Sequence, residues 1–183
     1  MVKYKKEVID VKKLDEITPP QWRDKINLLF NKDIPKTPNT PDELVIYNFS
    51  KKLETKVQQQ FYTDFNTLAR ELKFTNNDIE LEFVQNDNGG NMGIGQKVKK
   101  KAEGSQSGFP DASLFVSNVT NQTNMTMFCE VKKIGSPSEI HLTKEQFDWF
   151  IKLNRMGFDA YITNNPIFFR RVILNKIRQF YAT

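Results

Sequence analysis

The chain has 183 residues, of which 38% are hydrophobic, 12% aromatic and 27% charged; this excludes a disordered tail and suffices for one packed core. No apolar run approaches the roughly 18 residues of a membrane helix, and Met1-Val2-Lys3-Tyr4-Lys5-Lys6 leads into charged sequence rather than a signal peptide, so a cytoplasmic location, of a cell or an infected host, is expected. A net charge of +5 and a pI near 9.2 suit a polyanionic partner.

Residues 1–40 read as an N-terminal extension to a domain at 41–183. Within the extension, Thr18-Pro19-Pro20 predicts a short helix with Trp22, Ile26, Leu29 and Phe30 on one side, ended by Ile34-Pro35-Lys36-Thr37-Pro38. Thr40-Pro41-Asp42-Glu43 combines a Thr N-cap, Pro at the first helical position and Glu three residues after the cap. The helical spacing of Ile46, Phe49, Leu53, Val57, Phe61, Phe65, Leu68 and Leu72 continues from there to about Lys73, as one helix or two.

Ile79, Leu81 and Phe83 alternate with polar residues and predict a strand. Asn86 to Asn91 is turn-rich and opens a loop holding Gly93, Gly95, Gly104 and Gly108 together with Lys97, Lys99, Lys100 and Lys101. No Gly-Lys-Ser/Thr follows, so the segment is expected to be a basic loop rather than a phosphate loop. Asp111 to Val116 and Met125 to Val131 predict two strands, joined as a hairpin through the polar stretch Asn118 to Asn124.

Thr143-Lys144-Glu145-Gln146 caps a helix that turns Phe147, Phe150, Ile151 and Leu153 to the core and stops at Gly157. Asp159 to Thr163 is a short strand and Phe168 to Tyr181 a closing helix, where Arg170, Arg171, Lys176 and Arg178 gather. The order α, β, β, β, α, β, α predicts an α/β fold with a mixed central β-sheet flanked by helices.

One cysteine, Cys129, and one histidine, His141, exclude an intramolecular disulfide, Cys-rich zinc sites and catalysts built on several histidines. Cys129 reads as a small buried strand residue and His141 as a loop residue. Chemistry must then rest on carboxylates and lysine. Period two puts Glu130 and Lys132 on one face of their strand. If the hairpin sets Asp111 opposite them, two carboxylates and an ammonium converge. Two carboxylates at one place repel unless a cation sits between them, and hard oxygen ligands select Mg²⁺ or Mn²⁺. Such an ion polarises a phosphoryl oxygen and acidifies a water, while the lysine orients that water or steadies developing charge. The plainer alternatives are an exposed Glu130–Lys132 charge pair and a turn role for Asp111.

Gly108-Phe109-Pro110-Asp111, a hairpin, Glu130-Val131-Lys132, then Leu142-Thr143-x-x-Gln146 and Gly157 together resemble the PD-(D/E)xK nuclease superfamily. Within it the pattern is similar to the VRR-NUC (virus-type replication-repair nuclease) domain, over about Leu53 to Thr163. The resemblance implies a restriction-endonuclease-like core. It further implies that Asp111, Glu130 and the Val131 carbonyl bind Mg²⁺ or Mn²⁺, that Lys132 is the catalytic lysine, and that Gln146 lies at the edge of the site. Gln146 is equally well explained as the third residue of a capping box. The family's acidic residue from a preceding helix, in the motif Glu-x-x-aliphatic-Gln, corresponds here to Glu54 in Glu54-Thr55-Lys56-Val57-Gln58. At about 100° per residue Glu54 falls between Phe61 and Phe65, where a carboxylate is costly without a cation; Asp64 falls in the same arc, so geometry leaves both open and the motif selects Glu54.

The activity implied is a metal-dependent endonuclease acting on DNA, selective for branched or junction structures in replication, repair or recombination, as in relatives many of which are viral. Lys97, Lys99, Lys100, Lys101 and Lys133 are expected on the nucleic-acid backbone, and a homodimer is among the implications. A non-catalytic DNA-binding or assembly protein on the same fold, and an RNA endonuclease on the same scaffold, are the open alternatives.

Overall fold

The computed structural model describes residues 6–52, 54–75, 78–86 and 107–182, with side chains for all of these except 54, 55, 73–75 and 180–182. Strands β1 (Val8–Ile9) and β2 (Ile26–Asn27) precede β3 (Ile79–Gln85), β4 (Ala112–Asn118), β5 (Thr123–Val131), β6 (Leu142–Thr143) and β7 (Asp159–Thr163). The helices are α1 (Leu14–Ile17), α2 (Pro41–Ser50), α3 (Glu54–Thr75), α4 (Lys144–Arg155) and α5 (Pro166–Ala182). β3, β4 and β5 form an antiparallel meander, β7 lies parallel to β5, and β2 lies parallel to β7. The result is a mixed α/β fold whose five-stranded sheet, of order β2-β7-β5-β4-β3, is flanked by helices.

Strand alternation assigns the two layers. Leu114, Val116, Met127, Cys129 and Val131 face Val57, Phe61 and Phe65 of α3 and Phe169 and Ile173 of α5. Phe128, Ala160 and Ile162 face the other way, onto Phe147, Phe150 and Leu153 of α4 and onto Val11 and Leu14. Even-numbered β5 residues therefore look into the α4 layer, and Glu130 is one of them.

The capped helices follow their side-chain signals. At α2, Thr40 Oγ1 accepts the Glu43 N–H at 3.2 Å and Glu43 Oε2 accepts the Thr40 N–H at 3.2 Å. The long helical stretch is two helices. Ser50 Oγ donates to the Tyr47 carbonyl at 2.7 Å at the end of α2, competing with the backbone ladder there. At the end of α4, Gly157 has φ +87° and donates to the Asn154 carbonyl at 3.1 Å, the left-handed stop its sequence predicts.

Within the expected extension, the described residues 6–40 pair and pack with the rest of the fold. β1 pairs with β6 (Val8 with Thr143, Ile9 with Leu142), and β2 is an outer strand of the main sheet. Asn164 clamps the same segment: its Oδ1 accepts the Leu29 N–H at 2.7 Å and its Nδ2 donates to the Leu29 carbonyl at 2.9 Å. Trp22 and Phe30 pack on one core, Leu29 and Ile34 on the other. The predicted helix after Thr18 is a 3-10 stretch, Pro20–Lys25, that ends before Ile26, so Trp22 and Ile26 do not share a helix face. Two-residue strands carry no readable periodicity, and their partners stand far along the chain. Among the described residues, no helix is long and apolar enough to cross a membrane.

Candidate active site

The β4–β5 register pairs Ala112 with Cys129, so one step beyond that pair Asp111 stands beside Glu130. Asp111 is held through both its side chain and its backbone. Its Oδ2 accepts the Val131 N–H at 2.9 Å, and its carbonyl accepts the Asn86 N–H at 2.7 Å. Asn86 Nδ2 in turn donates to the Pro110 carbonyl at 2.8 Å and to Ser113 Oγ at 2.9 Å. The Asp111 carboxylate thus serves as the acceptor for the last β5 backbone N–H, that of Val131.

Glu130 and Lys132 are each only 2% exposed. The Lys132 ammonium lies 2.7 Å from Glu130 Oε1, and the Lys132 backbone N–H donates to the Thr163 carbonyl at 2.9 Å. Gln146, in the first turn of α4, completes a buried network: its Nε2 donates to Glu130 Oε1 and its Oε1 accepts the Lys132 ammonium at 3.2 Å. The same Oε1 accepts the Thr143 N–H at 3.0 Å, and Thr143 Oγ1 accepts the Gln146 N–H at 3.3 Å. The capping box and the contact with Glu130 and Lys132 are thus made by one side chain. An exposed cross-strand pair is ruled out by the burial. A buried ion pair is weak evidence for stability, because desolvation offsets most of its attraction.

Burial pushes the Cys129 thiol well up, and the charges of Asp111 and Glu130 push it further. A thiol so held is not a nucleophile. Cys129 is buried, as its sequence context predicts, and His141 lies exposed before β6.

Glu54 opens α3, whose apolar face packs on the layer opposite α4; the Glu54 side chain lies outside the described residues. Asp64 is exposed, accepts Gln60 Nε2 at 2.7 Å and lines a groove with Phe65, Leu68, Pro166 and Arg170 between α3 and α5. These contacts lie on the α3–α5 side of the molecule. Lys133 is half-buried, and its carbonyl accepts Asn164 Nδ2 at 3.0 Å. Its charge reaches Glu139, whose carboxyl is held low first by hydrogen bonds from Ser136 and then by Lys133. Lys97, Lys99, Lys100 and Lys101 lie outside the described residues. Near the C-terminus, Arg171 pairs with Asp42 at 2.9 Å and Arg170 with Glu71 at 4.0 Å on a solvated face, while Lys176 pairs with the partly buried Asp159 at 2.9 Å.

Sequence reading missed Asn86, which follows the last residue of β3 and reads as an ordinary turn residue. Its position immediately after an alternating strand was the only signal. Among the described residues no group of three or more His, Cys, Asp and Glu gathers to hold a metal ion. Asp111 and Glu130 supply two carboxylates, a number with which Mg²⁺ can be held while it keeps several waters. Compared with family models, with curated proteins and with solved structures, the chain matches none.

Proposed function

We propose that the chain is a metal-dependent endonuclease of the PD-(D/E)xK type, with a restriction-endonuclease-like core, that hydrolyses phosphodiester bonds in DNA. The observation that carries this reading is the convergence of Asp111, Glu130 and Lys132, with Gln146, at one end of the β4–β5 hairpin. The antiparallel meander β3–β5 followed by a helical crossover into parallel β7 supports the fold assignment.

Asp111, Glu130 and the Val131 carbonyl would hold Mg²⁺ or Mn²⁺. When bound, the ion supplies polarisation of the phosphoryl group and acidification of a nearby water. Lys132 brings a charge that is already oriented, fixed between Glu130 Oε1 and Gln146 Oε1, at the place where negative charge grows as water attacks phosphorus in line. The P–O3′ bond breaks, the leaving oxygen takes up a proton, and a 5′-phosphate and a 3′-hydroxyl remain. Gln146 keeps the ammonium and the carboxylate in register through the start of α4. Lys97, Lys99, Lys100, Lys101 and Lys133 would add phosphate contacts. Preference for branched DNA, action as a homodimer and a role in viral or cellular replication, repair or recombination enter by analogy alone.

The test is cleavage of plasmid and branched oligonucleotide substrates with Mg²⁺, Mn²⁺ or EDTA. Metal-dependent cleavage by the wild type, lost in Lys132→Ala and Asp111→Asn, is expected. Absence of such cleavage, or full cleavage by either variant, sinks the enzymatic reading and favours a non-catalytic DNA-binding or assembly role. Cleavage confined to single-stranded RNA replaces the substrate and leaves the site standing.

A further inference from the structure

Asp111 belongs to two structures at once. On its C-terminal side it is tied to β5 through the Val131 N–H and through the ladder that begins at Ala112. On its N-terminal side it continues a short turn, Ser107-Gly108-Phe109-Pro110, that leans on α4. Three observations describe that contact. The Trp149 indole N–H donates to the Ser107 carbonyl at 3.2 Å. The Phe109 ring meets Trp149 edge to face, with centroids 5.1 Å apart, and meets Phe128 of β5 in the same way at 5.6 Å. Gly108, at φ +77°, approaches so closely that a Cβ there would stand 2.7 Å from Glu145 Cβ.

Trp149 lies three residues after Gln146 on the same helix, so the two side chains project from neighbouring positions on one face. Gln146 holds Glu130 and Lys132; Trp149 holds the turn that carries Asp111. The gap between the two carboxylates is therefore set through α4 as well as through the sheet. Among the described residues, the indole donates the one hydrogen bond from an α4 side chain to this turn. The Lys152 ammonium, 4.4 Å over the indole, braces the ring from a further turn along the helix.

We propose that Trp149 is a positioning residue for Asp111: it touches neither substrate nor metal, and by fixing the Ser107 carbonyl it fixes the separation of the Asp111 and Glu130 carboxylates. The proposal rests on the reading of Asp111 as a metal ligand. A merely structural Trp149 alters stability alone. A positioning Trp149 alters divalent-ion affinity in protein that remains folded.

Mn²⁺ binding to the full chain is measured from the electron paramagnetic resonance signal of the free ion, with thermal unfolding of each variant alongside. Trp149→Phe keeps a ring against Phe109 and deletes the donor. Its apparent Mn²⁺ affinity falls about 10-fold, the scale for residues that orient a metal ligand. Wild-type affinity in folded Trp149→Phe, with affinity lost in Asp111→Asn, overturns the proposal and leaves the metal site standing. Wild-type affinity in Asp111→Asn overturns the ligand reading and this inference with it. If Trp149→Phe does not fold, the wild-type protein decides by ¹H–¹⁵N spectroscopy. Saturation with Mg²⁺ shifts the Trp149 indole N–H resonance and leaves that of Trp22 in place; an unmoved Trp149 resonance overturns the proposal.

Discussion

Gln146 Oε1 accepts the Lys132 ammonium at 3.2 Å while it accepts the Thr143 backbone N–H at 3.0 Å. A helix cap and a catalytic candidate share one oxygen, and two variants separate the roles. Thr143→Ala deletes the hydroxyl that accepts the Gln146 N–H and leaves the Gln146 amide in place. It lowers stability by about 1 kcal/mol, the usual worth of an N-cap, and keeps metal-dependent cleavage within about twofold of wild type. Gln146→Ala removes both roles, so its cleavage rate falls at least roughly tenfold under conditions where both variants are fully folded. Urea unfolding paired with cleavage rates checks this, and equal activity in the two variants contradicts it.

The Glu130–Lys132 pair makes a second prediction. Lys132→Met withdraws the cation from a carboxylate that is 2% exposed. Breaking a buried pair from one side costs roughly 3–5 kcal/mol, whereas replacing both members by uncharged groups of similar size recovers most of it. Glu130→Gln/Lys132→Met is therefore more stable than Lys132→Met, and both are inactive. A double-mutant cycle from denaturant unfolding gives the coupling; additive effects within about 0.5 kcal/mol would show that the two charges do not depend on one another.

Gly108 and Gly157 both hold positive φ, at +77° and +87°, but only Gly108 is crowded, since nothing stands within 4 Å of a Cβ at Gly157. Gly157→Ala costs backbone strain alone, about 1–2 kcal/mol. Gly108→Ala adds a clash with the Glu145 backbone and costs about 1–3 kcal/mol more. Comparable unfolding midpoints for the two variants would show that the turn moves off α4 without penalty.

Where the sequence was legible, the signal was local. Thr40 with Glu43 and Thr143 with Gln146 announce their helices through reciprocal side-chain bonds, and β3, β4 and β5 announce themselves through period two. The polar turn between β4 and β5 allowed the register that brings Asp111 beside Glu130. What was hidden depends on distant partners. Val8–Ile9 and Ile26–Asn27 become strands because β6 and β7 pair with them, and two residues have no period of their own. Asp64 shares a helical arc with Glu54, but a helical wheel does not say where α5 docks, and Asp64 lies in the groove beside it. The Trp149 indole bond to Ser107 leaves no trace in any spacing rule.

Lys25, next to β2, is tied to Asp159 and Asn154 by the same kind of distant contact, and pH tests it. Its ammonium lies 2.7 Å from Asp159 Oδ1 and donates to Asn154 Oδ1 at 2.7 Å, while Lys176 reaches Asp159 Oδ2 at 2.9 Å. Partial burial pushes the Asp159 carboxyl up, but hydrogen bonds and charge from Lys25 and Lys176 outweigh it and hold the group below its ordinary value of 3.8. A carboxylate depressed in the folded state adds stability that is fully present above its unfolded pKa and is lost as pH falls through the folded one. The stability advantage of wild type over Asp159→Asn is therefore constant near neutrality. It shrinks below about pH 4 and is gone once the pH has passed beneath the folded pKa. Urea unfolding of both proteins across that range measures it. An advantage that grows on acidification would mean that Asp159 is protonated in the folded protein and that its lysines do not hold β2 to the sheet through charge.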